Sequence, residues 1–133
     1  MFLVGDSWFG PKKSHANVTT PAINRSPLML SQSTNAQQTA ARVIDEFNKL
    51  LSDRAAEYFK GKTATYAIVD TQAPFNAAID NPTKYGSRDA KCYNSDGKTC
   101  LWYNDYHPGM AIHKLVAEGV VGAWKGAAFF KGK

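Results

Sequence analysis

The sequence predicts an α/β fold built on a parallel sheet. Three observations lead there. Residues 1–4 and 63–69 are short runs rich in apolar, β-branched or aromatic side chains, the composition of buried strands. Residues 34–60 and 108–124 carry apolar side chains at three- and four-residue steps, the period of amphipathic helices. The two patterns alternate along the chain, and such alternation places helices over a sheet. At 133 residues the chain is one domain by length and buries a core without added cross-links.

Phe2-Leu3-Val4 is the first strand, and Gly5-Asp6-Ser7 follows it at once. Residues 8–15 show no periodicity. Residues 16–30 contain Pro21 and Pro27; a strand end is expected within 18–23, and Pro21 keeps it short. Thr34 opens the strongest helix, with Gln37 three residues on as a capping box. Val43, Phe47, Leu50, Leu51, Tyr58 and Phe59 share one face, expected to meet the core in preference to a lipid or partner groove. Gly61 supplies the stop. The strand at 63–69 ends on Asp70, which reads first as a turn cap and second as a site carboxylate. A short helix spans 74–79, and residues 83–101 form a long polar loop holding both cysteines. Pro108 suits the first position of the last helix, residues 108–124, whose Ile112, Leu115, Val116 and Val120 face the core.

Composition excludes several classes of partner. The net charge of +5 comes from scattered lysines and not from a dense basic stripe with interleaved aromatics, so no nucleic-acid footprint is expected. No apolar run reaches the ~20 residues that span a bilayer, and residues 1–4 run into Gly5-Asp6-Ser7 without a signal-peptide pattern. Cys92 and Cys100 flank the turn-forming Asn94-Ser95-Asp96-Gly97, which suits a local disulfide in an oxidising compartment; two free thiols are the alternative. Asn17-Val18-Thr19 and Asn24-Arg25-Ser26 match the glycosylation pattern, one that is common by chance. A secreted, extracellular protein, monomeric and represented here by a mature fragment or an incomplete gene model, is the expectation. His107 and His113 lack the four-residue spacing of a shared metal face, and no phosphate-cradling loop appears, so neither metal nor cofactor is expected.

The chemistry gathers in two stretches. One is Gly5-Asp6-Ser7, just past the first strand. The other is Trp102-Tyr103-Asn104-Asp105-Tyr106-His107-Pro108-Gly109, before the last helix. Histidine is the side chain best suited to move protons near neutral pH. Together the two stretches resemble the first and last blocks of the GDSL, or SGNH, hydrolases. Residues 17–28 look like the segment that follows a late central strand in fungal GDSL esterases, and the likeness runs on through residues 70–109 into the last helix.

That resemblance implies a flavodoxin-like three-layer sandwich with a parallel sheet. The chain would be a single truncated domain over residues 1–133, with the family's central region missing. It also implies a serine ester hydrolase, carbohydrate acetylesterase-like or lipase-like, acting on small-molecule or carbohydrate esters. Ser7 would be the nucleophile and its N–H one oxyanion donor; His107 would be the base. The sequence departs from the pattern at three places. Asn104 stands at the acid position, where it can orient His107 without supplying charge. Asp105 lies at the wrong offset, and Asp70 is the other substitute for the acid. The glycine and Gly-x-Asn-Asp blocks that supply the family's remaining oxyanion donors are not found. Weak activity is therefore expected. The alternative is a non-catalytic remnant or a secreted carbohydrate-binding protein using Trp102, Tyr103 and Tyr106, although packing is the more ordinary role for those rings.

Overall fold

In the computed structural model, the described residues are 14–62 and 64–125. Residues 1–4 and Ser7 lie outside them. The fold mixes helices with a small parallel sheet of two strands, β1 (Ser14–Val18) and β2 (Thr65–Val69). Between the strands run α1 (Pro27–Leu30) and α2 (Thr34–Phe59); after β2 come α3 (Gln72–Asp80) and α4 (Met110–Lys125). A strand, a helical crossover and a second parallel strand form one βαβ unit, the arrangement that parallel pairing requires.

The described partner of β2 is thus Ser14–Val18, a stretch in which no strand is expected until its last residue. Its register runs from Ser14 opposite Thr65 to Val18 opposite Val69. Val18 is its one β-branched residue, so local propensity is weak and pairing with β2 makes the strand. The carboxyl ends of both strands are tied by a polar knot. Thr71 N–H donates to Thr19 Oγ1 at 2.8 Å, and Thr71 Oγ1 donates to the Thr19 carbonyl at 2.7 Å.

Helix α2 is capped one residue earlier than the capping box predicts. Ser33 is the N-cap, and its hydroxyl accepts from Ala36 N–H at 3.3 Å. Gln37 instead reaches back to the carbonyls of Leu30 and Gln32. Gly61, at φ 73°, ends the helix as expected.

The face of α2 differs more. Val43, Phe47, Leu50 and Tyr58 are about half exposed or more (51, 48, 50 and 63%), so four of the six residues expected in the core stripe face outward, while Leu51 and Phe59 are half-buried. The inward line passes one position away, through Ala36, Ala40, Ile44, Asn48, Leu51, Ala55 and Phe59. Small side chains on this line permit close approach. Asn48 fastens it by accepting from Thr20 N–H (2.7 Å) and donating to the Thr20 carbonyl (3.0 Å). Hydrophobicity marked the larger residues, but closeness and hydrogen bonding decided the buried side.

The core joins Ala22, Phe75, Ala78, Ile79, Leu101, Trp102 and Ile112. Leu115 and Val116 pack against it from α4, on the expected face. Arg25 braces α3 from outside, bonding Asn76 at 2.9 Å and Asp80 at 2.6 Å. Helix α3 starts two residues before the expected 74. Asp70 Oδ1 accepts from Gln72 N–H at 2.8 Å and so satisfies one of the amides left free at a helix start.

Helix α4 opens at Met110, two residues after Pro108. Pro108 forms a bridge with Trp102, and Gly109 N–H donates to the Leu101 carbonyl at 2.7 Å. Met110 N–H then donates to the Gly97 carbonyl at 2.7 Å. Pairing with the preceding loop holds Pro108 extended, which a local preference for helix position one could not reveal. The cysteines are joined, Cys92 to Cys100, with Cα atoms 5.1 Å apart. This disulfide ties the loop that receives the start of α4.

Candidate functional site

Residues 103–107 fold back on themselves just before α4. Tyr103 N–H donates to the His107 carbonyl at 2.8 Å and closes the loop. At its centre lies the side chain of Asn104. Asn104 Oδ1 accepts from Tyr106 N–H at 3.0 Å and from His107 N–H at 2.7 Å, a turn that asparagine and aspartate form readily. The same oxygen is 3.1 Å from Nδ1 of His107.

These three contacts determine the histidine's tautomer. Backbone N–H groups only donate, so the atom facing them must be the amide oxygen and not the nitrogen. An amide oxygen only accepts, so Nδ1 carries the proton. Nε2 is then the basic nitrogen of the neutral ring, and among the described residues nothing bonds to it. His107 is exposed, with Nε2 available to a reacting group. Asn104 therefore orients the ring as an aspartate would, but it leaves an imidazolium without a neighbouring negative charge.

The other carboxylates take different places. Asp105 is exposed, and its backbone carbonyl accepts from Leu28 N–H at 2.7 Å, pinning α1 to the histidine loop. Asp70 caps α3 and lies 3.5 Å from the Thr19 hydroxyl. No described contact joins either carboxylate to His107. Ser7, with the oxyanion N–H assigned to it, lies outside the described residues.

Of the three aromatics singled out, Trp102 is fully buried, with Nε1–H donating to the Ala90 carbonyl at 2.9 Å and its ring edge-on to Phe75 at 6.2 Å. It belongs to the core and offers no face for a sugar. Tyr103 is half exposed. Tyr106 stands edge-to-face against His107, ring centroids 5.5 Å apart at 89°. It also lines an apolar cleft between α2 and the segment leading into α1. No periodic signal marks an aromatic beside a histidine in a loop, and this pairing becomes visible only through the turn centred on Asn104.

In the disulfide loop, Asp96 accepts from Lys98 N–H (2.7 Å), Thr99 N–H (3.0 Å) and the Thr99 hydroxyl (2.9 Å). These bonds, that from Lys98 N–H foremost, hold its carboxyl below the ordinary value of 3.8. The Lys91 N–H, followed by that of Cys92, does the same for Asp89. Both carboxylates brace the disulfide loop. Among the described residues no group of three or more histidines, cysteines or carboxylates could hold a metal ion, and no helix is long and apolar enough to cross a membrane.

No protein-family model matches the chain. The chain is similar to an acetylesterase of Thermothelomyces thermophilus, 50% identical over 115 residues. The match covers 84% of this chain and 38% of that relative, so the chain spans well under half the relative's length.

Proposed function

We propose that the chain is a secreted serine ester hydrolase of the GDSL, or SGNH, type, with a weakened site acting on acyl esters. The observation that carries this reading is the His107 ring, held on Asn104 Oδ1 with Nε2 left as the free base. The likeness to an acetylesterase supports it, and the disulfide supports an oxidising compartment. In this mechanism Nε2 takes the proton of Ser7 as its Oγ attacks the ester carbonyl, which requires a Ser7–His107 separation of about 2.6–3.2 Å. The Ser7 N–H stabilises the oxyanion. His107 then returns its proton to the departing alcohol, and water reverses the sequence to free the acid.

Two features make the turnover slow. The imidazolium lacks a carboxylate partner, and each absent oxyanion donor costs about 10²–10³ in rate. The test is hydrolysis of 4-nitrophenyl acetate by the purified chain and by its Ser7→Ala and His107→Ala variants. Both variants should lose the activity, and equal rates in all three would remove the serine mechanism.

A further inference from the structure

We propose that the cleft between α2 and the Ile23–Arg25 to α1 segment is a binding subsite for the unbranched apolar chain of an ester substrate, with Tyr106 as the wall it shares with the reacting centre. This proposal rests on the hydrolase reading above and extends it to the substrate class. The cleft has a volume of about 470 Å³, within the range of small-molecule sites. Ile23, Met29, Ala40, Val43 and Ile44 line it together with Tyr106. None of its lining residues is charged, and its polar members are neutral, so a hydrocarbon chain fits it better than a sugar or a charged group.

Position argues for a substrate subsite and against a packing gap. Tyr106 lines the cleft, and its ring stands edge-to-face against the His107 imidazole with centroids 5.5 Å apart. A chain lying against Tyr106 thus rests on the residue whose ring packs against His107. The two walls are also mechanically joined, because Leu28 N–H holds the Asp105 carbonyl at 2.7 Å. The α1 side of the cleft and the histidine loop therefore keep a fixed spacing. Tyr106 is a specificity-determining residue in this scheme.

The test is binding of hexanoate, octanoate and decanoate, followed by backbone amide shifts. Each buried methylene should tighten binding about three- to fourfold, a gain on the order of 10²-fold from hexanoate to decanoate. The shifts should concentrate at Ile23, Met29, Ala40, Val43 and Tyr106. Ala40→Phe, which fills the cleft, should weaken decanoate at least tenfold. If that variant does not fold, Met29→Ala takes its place and should weaken decanoate severalfold. Affinity independent of chain length, shifts centred on the outward Phe47 and Leu50, or wild-type binding by a folded cleft variant would each overturn the proposal. Failure of the hydrolase reading looks different: no Ser7-dependent hydrolysis, with chain-length-dependent binding retained even in His107→Ala.

Discussion

Replacing Asn104 by aspartate adds the one charge that the histidine loop lacks while keeping its geometry. An aspartate oxygen can still accept from the N–H groups of Tyr106 and His107, so the turn should survive. The new charge would stand 3.1 Å from Nδ1. At that distance a unit charge stabilises an imidazolium by about 1.3 kcal/mol at the dielectric constant of water, and by about 5 kcal/mol at an effective value of ~20. His107 is exposed, so the lower figure applies. It corresponds to roughly a tenfold increase in the rate of a step that forms the imidazolium. Hydrolysis of 4-nitrophenyl acetate should accordingly rise about tenfold in Asn104→Asp. In Asn104→Ala, which frees the ring and undoes the turn, it should fall. Nitrogen NMR of the neutral ring gives a readout independent of turnover, with Nδ1 protonated and Nε2 bare. An Nε2–H tautomer in the wild-type protein would refute the reasoning, as would an unchanged Asn104→Asp rate alongside an inactive Ser7→Ala.

Three further outcomes follow from the packing around the site. A methyl group on Gly109 would stand 3.0 Å from the carbonyl oxygens of Gly97, Cys100 and Leu101, so Gly109→Ala should cost about 1–3 kcal/mol and lower the melting temperature; an unchanged melting curve would show that the loop yields freely. Opening the Cys92–Cys100 bridge, whose residues are eight apart in sequence, should cost about 2.5 kcal/mol by loop entropy, measured as the denaturation difference between wild type and the Cys92→Ser/Cys100→Ser variant. Asp96 and Asp89 titrate below their ordinary value when folded, so their stabilisation is present above about pH 4 and is lost as acid protonates them. Protection of the Lys98 and Thr99 amides, taken relative to their intrinsic exchange rates, should fall below that pH in wild type, whereas in Asp96→Ala it should already be low at neutral pH.

What the sequence determined by itself is local. The extent of α2 follows from periodicity and from Gly61, whose left-handed backbone ends it. The strand before Asp70, the capping role of that carboxylate and the inward side of α4 follow from residue type and spacing. The disulfide follows from two cysteines flanking a turn-forming run. Asn104 beside His107 was legible as an orienting contact only through the resemblance, which put Asn104 at the family's acid position.

Tertiary structure decided which surfaces meet. Helical periodicity defines an apolar side but not what lies against it. Close approach through Ala40, Ile44 and Ala55, with Asn48 fastened to Thr20, turned Phe47 and Leu50 outward. Ser14–Val18 became a strand because β2 supplied its partners. Pro108 was drawn into pairing with Trp102, leaving Gly109 for the point where three carbonyls crowd the backbone. The tautomer of His107 was decided in the same way: it depends on which atom of Asn104 faces two backbone N–H groups, and those groups converge only when the chain closes between Tyr103 and His107.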